Sequence, residues 1–117
     1  MTTIKTKRIY DPAEKADGQR VLVDRIWPRG ITKEKAALDF WLRDIAPSTE
    51  LRKWFGHKPE RWVEFDKRFR KELVDNPALS ELKAIAKKGT VTLVYAAKDT
   101  EHNNAMVLQH YLTKHKG

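Results

Sequence analysis

The sequence predicts an α/β fold: one domain over residues 1–117, built on a mainly parallel sheet flanked by helices. Three observations lead there. Short apolar blocks that suit strands occur near both ends of the chain, at Ile4–Tyr10, Val21–Ile26 and Val91–Ala97. Between the last two, apolar residues recur every three or four positions, the period of a helix with one buried face. Strands separated by helices need crossover connections, which a parallel sheet with helices against it supplies. No repeat, low-complexity stretch or linker divides the 117 residues, a length suited to one core.

Ile4–Tyr10 alternates apolar and basic positions, as a strand with one exposed face does. Asp11-Pro12 then starts a turn, and Asp17-Gly18 closes a polar connection. The second strand, Val21–Ile26, stops before Pro28, whose ring fixes its own φ and holds Trp27 extended; Gly30 permits a sharp bend. Thr32 is placed to cap a helix reaching about Ile45, with Ala37, Leu38, Phe40, Trp41 and Ile45 at helical spacing and Pro47 ending it. Ser48 or Thr49 caps a shorter helix bearing Leu51, Trp54 and Phe55, which Gly56 stops. Pro59 opens a third helix whose stripe is Trp62, Phe65, Phe69 and Leu73, and Asn76-Pro77 breaks it. Leu79, Leu82, Ile85 and Ala86 make a fourth stripe, ended by Lys87, Lys88 and Gly89. VTLVYAA at 91–97 is apolar on both alternating faces, so it belongs at the centre of the sheet. A last helix, capped by Asp99 or Thr100, carries Ala105, Leu108, Tyr111 and Leu112.

Composition narrows the chemistry. The chain has no cysteine, which excludes disulfides, thiolate metal sites and a cysteine nucleophile. Its apolar runs are far short of the ~20 residues that span a bilayer, so no membrane partner is expected. The stretch MTTIKTKRIY lacks the apolar middle of a secretory signal, and a cytoplasmic location is expected. Twenty-four Lys and Arg against sixteen Asp and Glu give a net charge of +8, which favours anionic partners. These cations are spread along the chain and interleaved with acids, a pattern that fits solvated helix faces better than a dedicated nucleic-acid surface.

If the strands at 21–27 and 91–97 are parallel neighbours, the loops that follow them open on one edge of the sheet, where open α/β folds bind ligands. The first loop offers Asp24, Arg25, Trp27 and Arg29; the second offers Lys98, Asp99, His102, Asn103 and Asn104 at a helix start. Arg25 and Arg29 suit phosphate or carboxylate because a guanidinium fork donates two parallel hydrogen bonds. Asp24, Lys98 and His102 are the candidates for proton transfer, with Asp99 near enough to orient the imidazole. Bland readings stand beside each of these. Asp24 and Arg25 pair with each other, or Arg25 anchors a buried carboxylate; strand alternation lets only one of the two face the crevice, unless the strand has already ended. His102 is then a solvated first-turn residue, His57 a loop residue, and Asn103 and Asn104 serve local capping. The aromatic residues fit core packing better than a base-stacking platform, Trp27 excepted. His110 and His115 are five apart, not on one helix face, so no metal is expected. Glycine-rich phosphate loops, a dinucleotide fingerprint and a nucleophile elbow are all missing, and no cofactor is expected.

Four blocks resemble a known family: Arg8-Ile9-Tyr10-Asp11-Pro12; VLVDRIWPRG at 21–30; Trp54-Phe55-x-His57 followed by Pro59-x-Arg61-Trp62; and VTLVYAAKD leading to His102 and Asn103. The layout resembles the YeaO-like branch of domain-of-unknown-function family 488 over essentially the whole chain. That resemblance implies a small α/β domain with a parallel sheet and no particular activity. Other branches carry Cys-His-Arg after the equivalent last strand, where this chain has Glu101-His102-Asn103, so thiol-dependent chemistry is not implied here. The expectation is a protein that holds a small anionic ligand, a nucleotide or phosphorylated metabolite among the options, between loops 24–30 and 98–104. The alternatives are a basic nucleic-acid-binding module and an interaction module that forms homo-oligomers.

Overall fold

The computed structural model describes residues 3–114. Four strands, β1 (Ile4–Arg8), β2 (Gln19–Leu22), β3 (Phe40–Trp41) and β4 (Val91–Tyr95), form one sheet in the order β1-β4-β2-β3. Every neighbouring pair is parallel, with Ile4 and Gln19 both opposite Val91 and Val21 opposite Phe40. All five residues of β4 are buried, as its two apolar faces require. The fold is α/β.

The sheet separates two unequal layers. On one side Val21, Val23, Val91, Leu93 and Tyr95 meet α2 (Thr49–Phe55), α3 (Trp62–Val74), α4 (Pro77–Ala86) and α5 (Asn104–Lys114) in the main core. On the other, Ile9, Leu22 and Val94 are covered by short α1 (Lys33–Ala36) and its neighbours Trp27, Ile31 and Trp41. No described helix is long and apolar enough to cross a membrane.

Local chemistry explains most boundaries. Ser48 accepts a hydrogen bond from Leu51 N–H at the start of α2, and Gly56, at φ +52, ends it. Pro59 lies in a 3-10 turn, Pro59–Arg61, that leads into α3, whose buried side is Phe65, Phe69 and Leu73. Asn76 accepts from Ala78 N–H and Pro77 opens α4.

The helix expected over 32–45 is not formed. Thr32 caps it as anticipated, but α1 ends at Ala36 and Ala37 turns left-handed, at φ +47. The sheet edge then captures the chain: Asp39 N–H donates to Arg20 O, Leu42 N–H to Leu22 O, and Trp41 sits opposite Leu22. Phe40 and Trp41 are aromatic and favour strands, so pairing outcompetes helix extension. Leu42 and then a 3-10 turn, Arg43–Ile45, follow. The second strand is also displaced, starting at Gln19 and ending at Leu22 rather than running from Val21 to Ile26. The final helix begins at Asn104, with Asn103 accepting from Met106 N–H, in place of a cap at Asp99 or Thr100. His115 and Lys116 lie outside the described residues, and so does the spacing between His110 and His115.

Candidate functional site

β2 and β4 are parallel neighbours, so their C-terminal ends open on the same edge, and a cleft of about 870 Å³ lies there. It is bounded by the loop after β2, the loop after β4, and α2 with the turn that follows it. Asp24, Arg25, Trp27 and Arg29 from the first loop line it, and Lys98, Asp99, His102, Asn103 and Asn104 line it from the second. All nine residues singled out from sequence therefore meet in one cleft. The strand has ended before the first two of them, which is the exception to strand alternation. Asp24 and Arg25 both face the cleft, because the last ladder bond, Val23 N–H to Val94 O at 3.1 Å, precedes Asp24 and strand alternation no longer applies.

Asp24 and Arg25 do not bond to each other. Asp24 Oδ2 accepts from Ala96 N–H at 2.9 Å and Oδ1 from Asn104 Nδ2 at 3.2 Å, so one carboxylate joins the end of β2 to the end of β4 and the start of α5. Asn104 Nδ2 also donates to Val23 O, and Trp41 Nε1 to Asp24 O. Burial pushes the Asp24 carboxyl above its usual range, against the hydrogen bonds from Ala96 and Asn104 and the attraction of Arg52 and His57. Arg25 turns toward the 3-10 turn before α2: Nη2 donates to Ala46 O at 3.3 Å and Nη1 lies 3.9 Å from Asp44. Its buried Nε has no hydrogen-bond partner among the described residues.

The first loop is braced from both sides. Trp27 Nε1 donates to Ile31 O at 2.7 Å, and Tyr10 Oη to Arg29 O at 2.9 Å. The Tyr10 bond uses the backbone of residue 29, and the Arg29 side chain is exposed at the cleft. Gly30, at φ +77, supplies the bend.

In the second loop Asp99 organises the turn. Oδ1 accepts from the N–H groups of Glu101 and His102, and Oδ2 lies 2.8 Å from His102 Nδ1. The Glu101 N–H and the His102 side chain hold the Asp99 carboxyl below its usual range. The His102 ring stands edge-on to Trp62 at 5.3 Å. With Nδ1 engaged, Nε2 makes no hydrogen bond among the described residues. Asn103 and Asn104 use their amides on the fold: Asn103 Nδ2 donates to Asp99 O, and Asn104 Nδ2 makes the ties to Val23 and Asp24.

In the third wall, sequence reasoning took Phe55 as part of a helix stripe and His57 chiefly as a loop residue, and passed over Arg52 and Lys53. Arg52, Lys53 and Phe55 of α2, and His57 beyond it, line the cleft. Gly56 and His57 take φ of +52 and +56 in succession, which turns the chain sharply back after α2. For His57, a residue with a Cβ, that conformation is uncommon. The one local sign was the glycine stop at Gly56; nothing in the spacing of Arg52 or Lys53 points at loops some 25 residues before and 45 after. Among the described residues no group of three or more His, Cys, Asp and Glu side chains is arranged to hold a metal.

The family model DUF488-N3i, described as the inactive DUF488-N3 subclade, matches residues 3–116. The uncharacterized protein YeaO of Escherichia coli strain K12 is 48% identical over 110 residues, 93% of this chain and 96% of that protein. The uncharacterized protein Rv3073c of Mycobacterium tuberculosis strain H37Rv is 44% identical over 111 residues, 95% of this chain and 94% of that protein. No solved structure matches.

Proposed function

Because the chain belongs to the inactive DUF488-N3 subclade, we propose that the cleft at the ends of β2 and β4 binds a small anionic ligand and does not turn it over. The observation that carries this reading is a charge imbalance. Arg25, Arg29, Arg52, Lys53 and Lys98 line the cleft against two carboxylates, Asp24 and Asp99. Both carboxylates already accept hydrogen bonds from the protein. Among the described residues, Arg29, Arg52, Lys53 and Lys98 form no salt bridge. Arg29 and Arg25 then supply forks for phosphate or carboxylate, and Lys98 a point charge. His102 offers Nε2, Asp99 holds its ring, and Asp24 and Asn104 keep the two loops together. The proton-transfer roles weighed for Asp24, Lys98 and His102 give way to binding and positioning. On α3 Arg68 pairs with Glu64 and Arg70 with Asp66, which supports a solvated face there rather than a nucleic-acid surface.

A thermal-shift screen against nucleotides, phosphorylated metabolites and simple anions, repeated with Arg29→Ala, tests the reading. The expected result is a stabilising anion whose effect is lost in Arg29→Ala while the unliganded melting temperature is unchanged. No stabilising anion, or one unaffected by the substitution, would sink it. Release of product from the bound compound would remove the claim that the site is silent.

A further inference from the structure

We infer that the ligand is a multiply ionised phosphate ester of a planar ring compound, with a nucleoside diphosphate as its type; this rests on the anion-binding reading of the cleft. Two independent features point there. The first is charge. Five cationic side chains reach one cavity from three separate parts of the chain, and four of them form no ion pair among the described residues. Like charges gathered round a confined space repel, and with Asp24 and Asp99 in the same lining the cleft still holds three more cations than carboxylates, a surplus that one ligand carboxylate does not offset. A head group with two or more negative charges within a few ångströms matches the set. The N-terminal end of α5 lies at the same cleft through Asn103 and Asn104, and helix starts favour phosphate oxygens.

The second feature is size and surface. At about 870 Å³ the cleft lies in the upper part of the range for small-molecule sites, roughly 300–1,000 Å³, and is far larger than an inorganic anion needs. Its remaining lining is carbon-rich: Ile26, Trp27, Pro28, Pro47, Phe55 and Phe65. Ile26 is 63% exposed at its rim, a large apolar side chain with little cover of its own. Phe55 and Phe65 are buried in the main core, and the aromatic rings of the lining with exposed surface are Tyr10 and Trp27; with the guanidinium planes beside them they favour a flat partner over a flexible chain, since both stack on ring faces. The head group therefore takes the cations and the ring the apolar wall.

Isothermal titration at low ionic strength with ADP, pyrophosphate, citrate and adenosine separates the parts. ADP is expected to bind at least about tenfold tighter than pyrophosphate or citrate, and adenosine most weakly. Arg52→Ala and Lys98→Ala should each weaken ADP by about tenfold or more and leave adenosine unchanged. Pyrophosphate or citrate matching ADP would overturn the ring, and adenosine matching ADP would overturn the charged head. In the first case the anion-binding reading stands. ADP binding indifferent to both substitutions would overturn the assignment to this cleft. Failure of all four probes to bind would overturn the inference and the anion-binding reading together.

Discussion

Asp17 lies buried in the connection between β1 and β2, its carboxylate 2.9 Å from Lys7 Nζ and 2.6 Å from Arg20 Nη1. It also accepts from Glu14 N–H, while Arg20 Nε and Nη2 donate to Ala36 O, so both buried charges are held on several sides. Burial raises the carboxyl's pKa, but the Glu14 N–H, Lys7 and Arg20 outweigh it, leaving the group below its usual range. A lowered acid pKa contributes stability above the unfolded value, about 3.9, that is lost as pH falls through the folded one. Asp17→Asn should cost about 3–5 kcal/mol at neutral pH, because it leaves the Arg20 guanidinium buried and unpaired. Urea unfolding at pH 7 should show that loss, and the fall in stability below about pH 4 should be shallower in the variant. Equal stability of the two proteins at pH 7 would refute it. Asp24 has the opposite sign: burial holds its pKa up, so ionising it lowers stability as pH rises from the ordinary aspartate value through the folded one. From sequence Asp17 read only as a turn residue beside Gly18, since its burial follows from how the connection lies across the sheet.

At the scale of elements, the connection between β1 and β2 depends on a close approach. Gly18 has φ +65, and a Cβ there would overlap the carbonyl oxygen of Thr90, at the foot of β4. Gln19 N–H donates to that same oxygen at 2.9 Å. Gly18→Ala should therefore destabilise by about 2–4 kcal/mol, adding overpacking to backbone strain. Gly30→Ala, at φ +77 with open space around it, should cost only about 1–2 kcal/mol. Melting temperatures of the two variants check this, and an equal drop in both would disprove the steric part. Helices α2, α3 and α4 were legible because caps, prolines and glycine stops are local. The 32–45 stretch misled because Ala37, Leu38, Phe40 and Trp41 fit a helical stripe, while the deciding partners, Arg20 and Leu22, lie about 20 residues earlier. The start of α5 slipped because Asp99 and Asn103 both cap, Asp99 the turn and Asn103 the helix.

For the whole molecule, the cleft couples segments that are far apart in the chain. Loops 23–31 and 96–103 meet because β2 and β4 pair, and α2 closes the space because Phe55 stacks on Phe65 at 4.3 Å within the main core. A ligand there engages all three at once. ADP at one hundred times its Kd should raise global stability by ~2.7 kcal/mol. Hydrogen exchange should slow in 24–30, 52–57 and 96–104 together. Protection confined to one of these segments would contradict a shared site. The sequence alone determined the α/β class, the central place of the 91–95 strand, three of the helices and the two loops that line the cleft, because periodicity, caps and turns are local properties. Only the tertiary structure decided that Phe40 and Trp41 form an edge strand, that Asp24 ties the two loops, and that Arg52, Lys53 and His57 complete the cleft. Those outcomes depend on partners distant in sequence, and packing selects them only once the sheet is assembled.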